Sequence, residues 1–174
     1  MAESISELHA LLDTIAEDRL ATIASWIRMM ARKPGTQPTT GASSGPLTEM
    51  LHIRRVESGN GRALFELDVC AEILNPYGVL AGPAVYAMVD YSMGAAAVSA
   101  LETGQICATI EIKISYLSSV RTGTVRAETE VVRQGRQIVF LESKVRDEAG
   151  KLVATATGSF IVMSIPNQPA KTVS

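Results

Sequence analysis

The residues best suited to chemistry lie in one short stretch that is otherwise apolar or small. Asp90 is the only charged residue from Val79 to Leu101, and an isolated carboxylate in apolar surroundings costs free energy unless it is paired or used. Pro83 predicts that a helix begins there. Gly82 would then lie at the helix N-terminus, where free N–H groups carry a partial positive charge. The stretch therefore combines a candidate base with a candidate oxyanion site.

The spacing of these two residues makes a prediction about assembly. Gly82 and Asp90 would lie about two turns apart on one helix, or roughly 12 Å along its axis. One aspartate cannot easily serve the glycine amide of its own chain over that distance. A site shared by two chains, with Gly82 from one and Asp90 from the other, removes the difficulty. If the two residues act in one reaction, the spacing therefore requires at least a homodimer.

The rest of the chain predicts a helical leader, a linker and one main domain. Apolar residues recur at helical spacing through residues 4–32, a segment long enough for two shorter helices. A stretch rich in Pro, Gly, Ser and Thr follows it. The predicted divisions are a helical extension at 1–33, a linker at 34–46, the main domain at 47–166 and a polar tail at 167–174.

The sequence of the main domain predicts strands before and after one very apolar helix. Alternating residues before the helix indicate strands at 50–57 and 62–70, with a hairpin turn at Asn60-Gly61. The helix is predicted over 83–101. Four strands joined by short turns then follow, at 106–117, 122–133, 137–147 and 151–163. Short turns favour antiparallel pairing, so we expect an α+β domain whose sheet wraps the helix.

The composition excludes several classes of function. The chain has 174 residues, 47% of them apolar, and a net charge of −2. No basic surplus exists to bind nucleic acid or a membrane surface, and a central aspartate in a membrane span would cost about 3 kcal/mol. Without a signal peptide at the N-terminus, we expect a cytoplasmic protein. Cys70 and Cys107 are expected to be buried free thiols, and His9 and His52 show no metal-ligand spacing.

The order of elements and one motif resemble a known family. The sequence Asn75-Pro-Tyr-Gly78-Val-Leu-Ala-Gly82, followed by Asp90, resembles the hotdog-fold acyl-CoA thioesterases, in particular the phenylacetic-acid-degradation type related to 4-hydroxybenzoyl-CoA thioesterases. The family pattern reads N-x-x-G-x-x-H-G-G, with an acid eight residues after the first glycine of HGG. The resemblance covers about residues 47–163. Ala81 and Pro83 depart from it, since the family has histidine and glycine there.

This resemblance implies hydrolysis of an aryl- or medium-chain acyl-CoA to a free acid and coenzyme A. The amide of Gly82 would bind the thioester oxygen, and Asp90 would activate water or attack as a nucleophile. Asn75 would hold the carbonyl or the water, and Thr109 matches the position of a hydroxyl that orients the water. Neither a metal nor a cofactor is expected, since coenzyme A is part of the substrate.

Further implications concern coenzyme A and assembly. Three residues are assigned to contacts with coenzyme A, with arginine suited to its phosphates: Gly78, Arg133 and Arg136. The expected assembly is a homodimer at minimum and a homotetramer in full, with no nucleic-acid or membrane partner.

Two other functions stay open at this stage. A non-catalytic hotdog protein that binds acyl-CoA or regulates is compatible with Ala81 and Pro83 in the motif. An acyl-thioester dehydratase or hydratase is less favoured, because that chemistry usually pairs a histidine with an acid. Asp90 itself has a purely structural alternative, for instance as a cap on a helix across a dimer interface.

Overall fold

The computed structural model describes residues 5–31 and 45–164, and the chain divides into two compact units, residues 1–37 and 38–174. The first unit contains helices α1 (Ile5–Leu12) and α2 (Glu17–Met30), so the leader is divided into two helices. The polar tail and all of the linker except Gly45 and Pro46 lie outside the described residues. The predicted domain boundaries therefore stay predictions.

The second unit is a six-stranded antiparallel sheet around one long helix. Helix α4 spans Gly82–Ala100 and contacts all six strands, and the strands lie in the order β1-β2-β4-β5-β6-β3. This architecture confirms the predicted α+β hotdog fold. The strands are β1 (Ile53–Gly59), β2 (Arg62–Asp68), β3 (Gln105–Tyr116), β4 (Thr124–Gln134), β5 (Ile138–Arg146) and β6 (Leu152–Ser164).

The segment before the first hairpin differs from the prediction. Residues 50–52 were expected to begin a strand, but a short helix α3 (Pro46–Met50) precedes it and β1 begins only at Ile53. Proline favours the first turn of a helix, and His52 then turns the chain with a φ of 54°. The hairpin itself has positive φ at Asn60 and Gly61, the backbone that an Asn-Gly turn adopts.

The core forms where α4 lies across the concave face of the sheet. Met88 and Met93 are fully buried and belong to one cluster with Phe65 and Phe160. Burying each such side chain contributes about 1.5–3 kcal/mol. At Gly158 a Cβ atom would come 2.8 Å from the sulfur of Met93, so glycine is what allows the helix to approach β6. The close packing fixes the height of α4 above the sheet.

Three buried hydroxyls join α4 to the sheet. The Ser92 hydroxyl donates to Thr129 Oγ1 at 2.7 Å, and Thr129 donates to Ser143 Oγ at 2.8 Å. All three residues are buried, and buried polar groups are costly without such partners. This buried hydroxyl chain therefore stabilises one position of α4 over β4 and β5.

An ion network covers the outer face of the first strands. Glu66 is paired with Arg54 and with Arg126, the latter at 2.6 Å. Asp68 accepts hydrogen bonds from Arg54 at 2.6 Å and from Thr124 at 2.7 Å. Partial burial would raise the pKa of the Asp68 carboxyl, but these hydrogen bonds outweigh it and the pKa is lowered. The network therefore favours the charged carboxylate.

Candidate active site

The approach to α4 is shaped by a tight turn at residues 75–79. The side-chain oxygen of Asn75 accepts hydrogen bonds from the amides of Tyr77 at 2.9 Å and Val79 at 3.3 Å. Gly78 has a φ of +68°, which glycine adopts without strain. Arg121 donates to the carbonyls of Tyr77 and Gly78 at 3.1 and 3.0 Å. Asn75 is thus oriented by its oxygen, and its NH₂ group has no acceptor within residues 5–31 and 45–164.

The first turn of α4 offers one free backbone donor. The amide of Ala81 is bonded to Ile73 O at 3.0 Å, and that of Ala84 is bonded to Ala81 O at 3.0 Å. Pro83 has no N–H. The Gly82 amide has no acceptor in the part of the chain that the structure describes. An oxyanion at this helix end would therefore be bound by a single amide, aided by the partial positive charge of the terminus.

Tyr116, at the end of β3, holds Gly82 from the other side. Its hydroxyl donates to Gly82 O at 3.0 Å, and a Cβ atom at Gly82 would lie 3.3 Å from its ring. Burial raises the pKa of the Tyr116 hydroxyl, and the nearby Tyr86 raises it by a smaller amount. The hydroxyl is therefore a donor at neutral pH. Sequence reasoning missed this residue. The alternation of β3 indicates that it faces the helix, but not which carbonyl its hydroxyl meets.

A cleft of about 360 Å³ opens beside Gly82 and Tyr116. Its lining contains no charged side chain and is mainly aliphatic. Two serines supply the remaining polar groups. The lining residues are Val79, Leu80, Gly82, Val85, Tyr116, Leu117, Ser118, Ser119, Val120 and Val153.

The second group of candidate residues lies further along α4. The Thr109 hydroxyl donates to Asp90 Oδ1 at 2.7 Å, so the structure brings these two predicted residues together. Thr109 lies in β3, next to a bulge that interrupts the register between Thr109 and Glu111. The bond leaves the second carboxylate oxygen of Asp90 open, and the lone pairs of Thr109 can still accept from a water. The lone carboxylate of the apolar helix is therefore held by a hydrogen bond to one of its two oxygens.

Cys107 lies near Asp90 without competing as a nucleophile. Burial raises the pKa of the Cys107 thiol, and the negative charge of Asp90 raises it by a smaller amount. Because a thiol of high pKa is mostly protonated, little of the reactive thiolate is present. Its sulfur lies 3.9 Å from Gly94 O. Both cysteines are free, as expected, but they are half-buried rather than buried. The same causes raise the pKa of the Tyr91 hydroxyl.

The remaining predicted residues lie elsewhere in the chain. The entry to α4 adjoins the start of β4, since the Leu80 amide bonds to Val120 O at 2.7 Å. Arg133 and Arg136 lie at the other end of β4 and beyond it, so one chain does not bring them to Gly82. Gly78 has a conformational role in its turn. The assignment of these three residues to coenzyme A stays a prediction.

The described residues offer neither a metal site nor a membrane-spanning helix. Among the described residues, no three His, Cys, Asp or Glu side chains come close enough to hold a metal ion. Over the same ranges, no helix has both the length and the apolar character that crossing a membrane requires.

The chain is similar to known thioesterases and esterases. The model of the family described as "Thioesterase superfamily" matches residues 77–154. A 1,4-dihydroxy-2-naphthoyl-CoA hydrolase of Listeria monocytogenes is 28% identical over 107 residues, 62% of this chain and 87% of that protein. The Bacillus subtilis protein ComA2 is 30% identical over 118 residues, 67% of this chain and 94% of that one.

A solved structure resembles most of this chain. The conserved protein PA5202 of Pseudomonas aeruginosa superposes with a TM-score of 0.68 and 31% identity, covering 72% of this chain and all of that one. The matched family segment contains Gly78, Gly82, Asp90 and Thr109 and begins just after Asn75.

Proposed function

Because the chain belongs to the thioesterase superfamily, we propose that it hydrolyses an acyl-CoA thioester to a free acid and coenzyme A. The observation that carries the proposal is a pair of half-sites along α4: the free Gly82 amide at its N-terminus and, two turns later, Asp90, which accepts a hydrogen bond from Thr109 of β3. The CoA thioester in the name of the Listeria relative supports the substrate class. The reaction needs no cofactor, since coenzyme A leaves as product.

The chemistry follows from the charges that develop during attack. The Gly82 amide donates to the thioester oxygen, which becomes negative as the tetrahedral intermediate forms. Asp90 accepts a proton from water through its open oxygen, while Thr109 holds the carboxylate and accepts from that water. The hydroxide adds to the carbonyl carbon, the C–S bond breaks, and the thiolate of coenzyme A leaves with the proton that Asp90 accepted. Asn75 directs its NH₂ group toward the carbonyl or the water.

Asp90 has a second mechanism, in which it attacks the carbonyl itself and water then cleaves the resulting anhydride. Single turnover in ¹⁸O-labelled water separates the two. Label entering the carboxylate of Asp90, detected in the peptide by mass spectrometry, requires the anhydride. Label found only in the released acid excludes attack of water on the aspartyl carbon of an anhydride and is the result expected for the general base that we propose.

The complete site is proposed to form between two copies of the chain. Strand β3 is an edge strand of the sheet and carries Thr109, with Ile110 of the bulge 52% exposed beside it. Antiparallel pairing of β3 with its copy would continue the sheet and bring Asp90 of the second copy toward Gly82 of the first. Mixing Gly82→Ala and Asp90→Asn subunits tests this, because each mixed dimer then holds one intact site. Recovery of activity on mixing supports a shared site, and no recovery contradicts it.

The cleft beside Gly82 supports a proposal for the acyl group. A thioester whose oxygen accepts from the Gly82 amide extends either its acyl group or its coenzyme A moiety into this cleft. The uncharged and mainly aliphatic lining disfavours the phosphates of coenzyme A and suits an apolar group. A volume of about 360 Å³ fits an aryl or medium-chain acyl group rather than a long fatty chain.

The decisive experiment measures thiol release from a panel of aryl- and fatty-acyl-CoAs. We expect hydrolysis by the wild type and a loss of at least about 100-fold in kcat for Asp90→Asn. The matched control is Asp13→Asn, the same isosteric change at an exposed residue of the leader, which should leave kcat unchanged. Binding of acyl-CoA without release from any member of the panel would instead favour a non-catalytic acyl-CoA-binding protein.

A further inference from the structure

One face of α4 borders strand β3 between the two half-sites. Residues four apart in a helix are neighbours on its surface, so Gly82, Tyr86 and Asp90 share this face. At its first position, a Cβ atom on Gly82 would lie 3.3 Å from the ring of Tyr116 in β3. At its last position, Asp90 accepts a hydrogen bond from Thr109 of the same strand at 2.7 Å. Tyr86 lies between these two contacts, and the mechanism above gives it no role.

The Tyr86 side chain is exposed and does not belong to the core. The residue exposes 38% of its surface, and its hydroxyl has no hydrogen-bond partner within the described parts of the chain. The ring lies near Tyr116, since it contributes to the raised pKa of that hydroxyl. Tyr116 in turn lines the cleft beside Gly82. The Tyr86 ring is therefore free to contact a substrate that extends from the Gly82 amide.

The position of Tyr86 in the shared site follows from the proposed function, on which this inference rests. If Gly82 of one copy faces Asp90 of the second copy and the reverse also holds, the two α4 helices run antiparallel. Tyr86 is four residues from each of them, or about 6 Å along the helix axis, and so lies midway between the amide and the carboxylate. A thioester that binds the Gly82 amide and receives water from Asp90 of the second copy therefore lies against the Tyr86 ring.

We propose that the Tyr86 ring forms a wall beside the reacting carbonyl and excludes acyl groups that branch at the carbon next to it. A flat ring and a planar thioester can lie in van der Waals contact, with their carbons about 3.5–4 Å apart. A methyl group on the adjacent carbon projects out of the thioester plane and would overlap the ring, and such a clash selects against the branched substrate. The substrates are thereby narrowed to acyl groups with a methylene or an aryl carbon at that position.

Isomeric acyl-CoAs measure this selection directly, because the two members of a pair contain the same atoms and differ only in the branch. The pairs are octanoyl-CoA with α-methylheptanoyl-CoA, and β-phenylpropionyl-CoA with α-phenylpropionyl-CoA. We expect the wild type to favour the unbranched isomer in kcat/KM by about 10-fold or more. Tyr86→Ala should lower this ratio by about 10-fold, through faster turnover of the branched isomer. Tyr86→Trp enlarges the wall and should raise the ratio.

Two control variants separate the ring from other roles of this residue. Tyr86→Phe retains the ring and should keep the wild-type ratio, since the hydroxyl that it removes has no partner in the described chain. Val98→Ala changes a residue of the same helix that is 50% exposed, and it should also keep the wild-type ratio. Circular dichroism and sedimentation velocity establish that each variant is folded and assembled like the wild type.

The outcomes distinguish this inference from the proposed function. Thiol release by the wild type with equal kcat/KM for both isomers of a pair would overturn the wall and leave the thioesterase intact. A ratio that neither Tyr86→Ala nor Tyr86→Trp changes would do the same. Loss of the preference in Tyr86→Phe would overturn the role of the ring, because it would assign the selection to the hydroxyl. No thiol release by the wild type from either pair would overturn the proposed function, and this inference with it.

Discussion

Gly82→Ala should separate catalysis from stability, because the added methyl group enters the reaction space and not the core. The backbone of Gly82 is not in the left-handed region, so alanine is compatible with its conformation. Its Cβ atom would lie 3.3 Å from the Tyr116 ring and 3.4 Å from the Tyr116 oxygen, so the ring must move by a few tenths of an ångström. The same methyl group would narrow the approach of a thioester oxygen to the only free amide of the helix end.

The energetic terms nearly cancel for the folded state. Alanine is favoured over glycine in a helix by up to about 1 kcal/mol. Loss or lengthening of the hydrogen bond from Tyr116 to the Gly82 carbonyl costs about 1 kcal/mol. We therefore expect the free energy of unfolding to change by less than about 1 kcal/mol, or a few degrees in Tm. Activity has no such compensation, and obstruction of one oxyanion donor is expected to lower kcat by about 100-fold or more.

Denaturant unfolding and thiol release on the same preparations give the two readouts. Gly94→Ala is the control on the same helix, since a Cβ atom there meets Phe160 at an ordinary 3.8 Å. It should stabilise the protein by up to about 1 kcal/mol and leave kcat unchanged. Wild-type kcat/KM in Gly82→Ala would refute the assignment of this amide as the oxyanion donor. Unfolding of the variant by several kcal/mol would instead show that Gly82 is needed for packing.

Three further predictions concern groups around the site and the sheet. Tyr116→Phe should lower kcat by about 10-fold with KM nearly unchanged, because it removes only the hydrogen bond that orients the helix end; steady-state kinetics separates the two constants. Thr129→Val interrupts the buried hydroxyl chain and should cost about 1–3 kcal/mol in urea unfolding, whereas Thr157→Val, at an exposed β6 position, should change stability by less than about 0.5 kcal/mol. Asp68→Asn should lower the free energy of unfolding by less than about 1 kcal/mol at pH 7, since the carboxylate is half exposed. Because the pKa of the Asp68 carboxyl is lowered in the folded state, this difference in unfolding free energy is present above about pH 4. It disappears as the pH falls through the folded pKa. A loss that persists unchanged in unfolding titrations at pH 2 would contradict the role of its charge.

Local patterns predicted most of the elements because those elements are set by local chemistry. The Asn60-Gly61 turn and the apolar run of α4 both carry their signals within a few residues. The missed helix at Pro46–Met50 also had a local signal, a proline at its first position. The prediction places Pro46 in the linker and begins a strand at Met50, because a five-residue helix gives too few turns to show a period.

The contacts of the candidate site could not be predicted from local sequence patterns, because they depend on strand pairing between distant parts of the chain. Asp90 and Thr109 are joined by a hydrogen bond, but the bond exists because β3 lies beside α4 at one edge of the sheet. That position depends on pairing with β6, more than forty residues later. The family resemblance supplied Thr109 as a candidate. The bond from Tyr116 to Gly82 had no such guide and follows only from the fold.

The place of β3 in the sheet also has a consequence for biosynthesis. Strand β3 leaves the ribosome before β4 and β5, yet it pairs only with β6, the last strand of the described chain. Until β6 is made, β3 has no neighbour on either side, and such unpaired strands are the segments on which chaperones act and from which aggregation begins. The hydroxyl that meets Asp90 is therefore fixed at the end of folding. A nascent chain that stops short of Leu152 would hold the helix and most of the sheet and still lack a finished site.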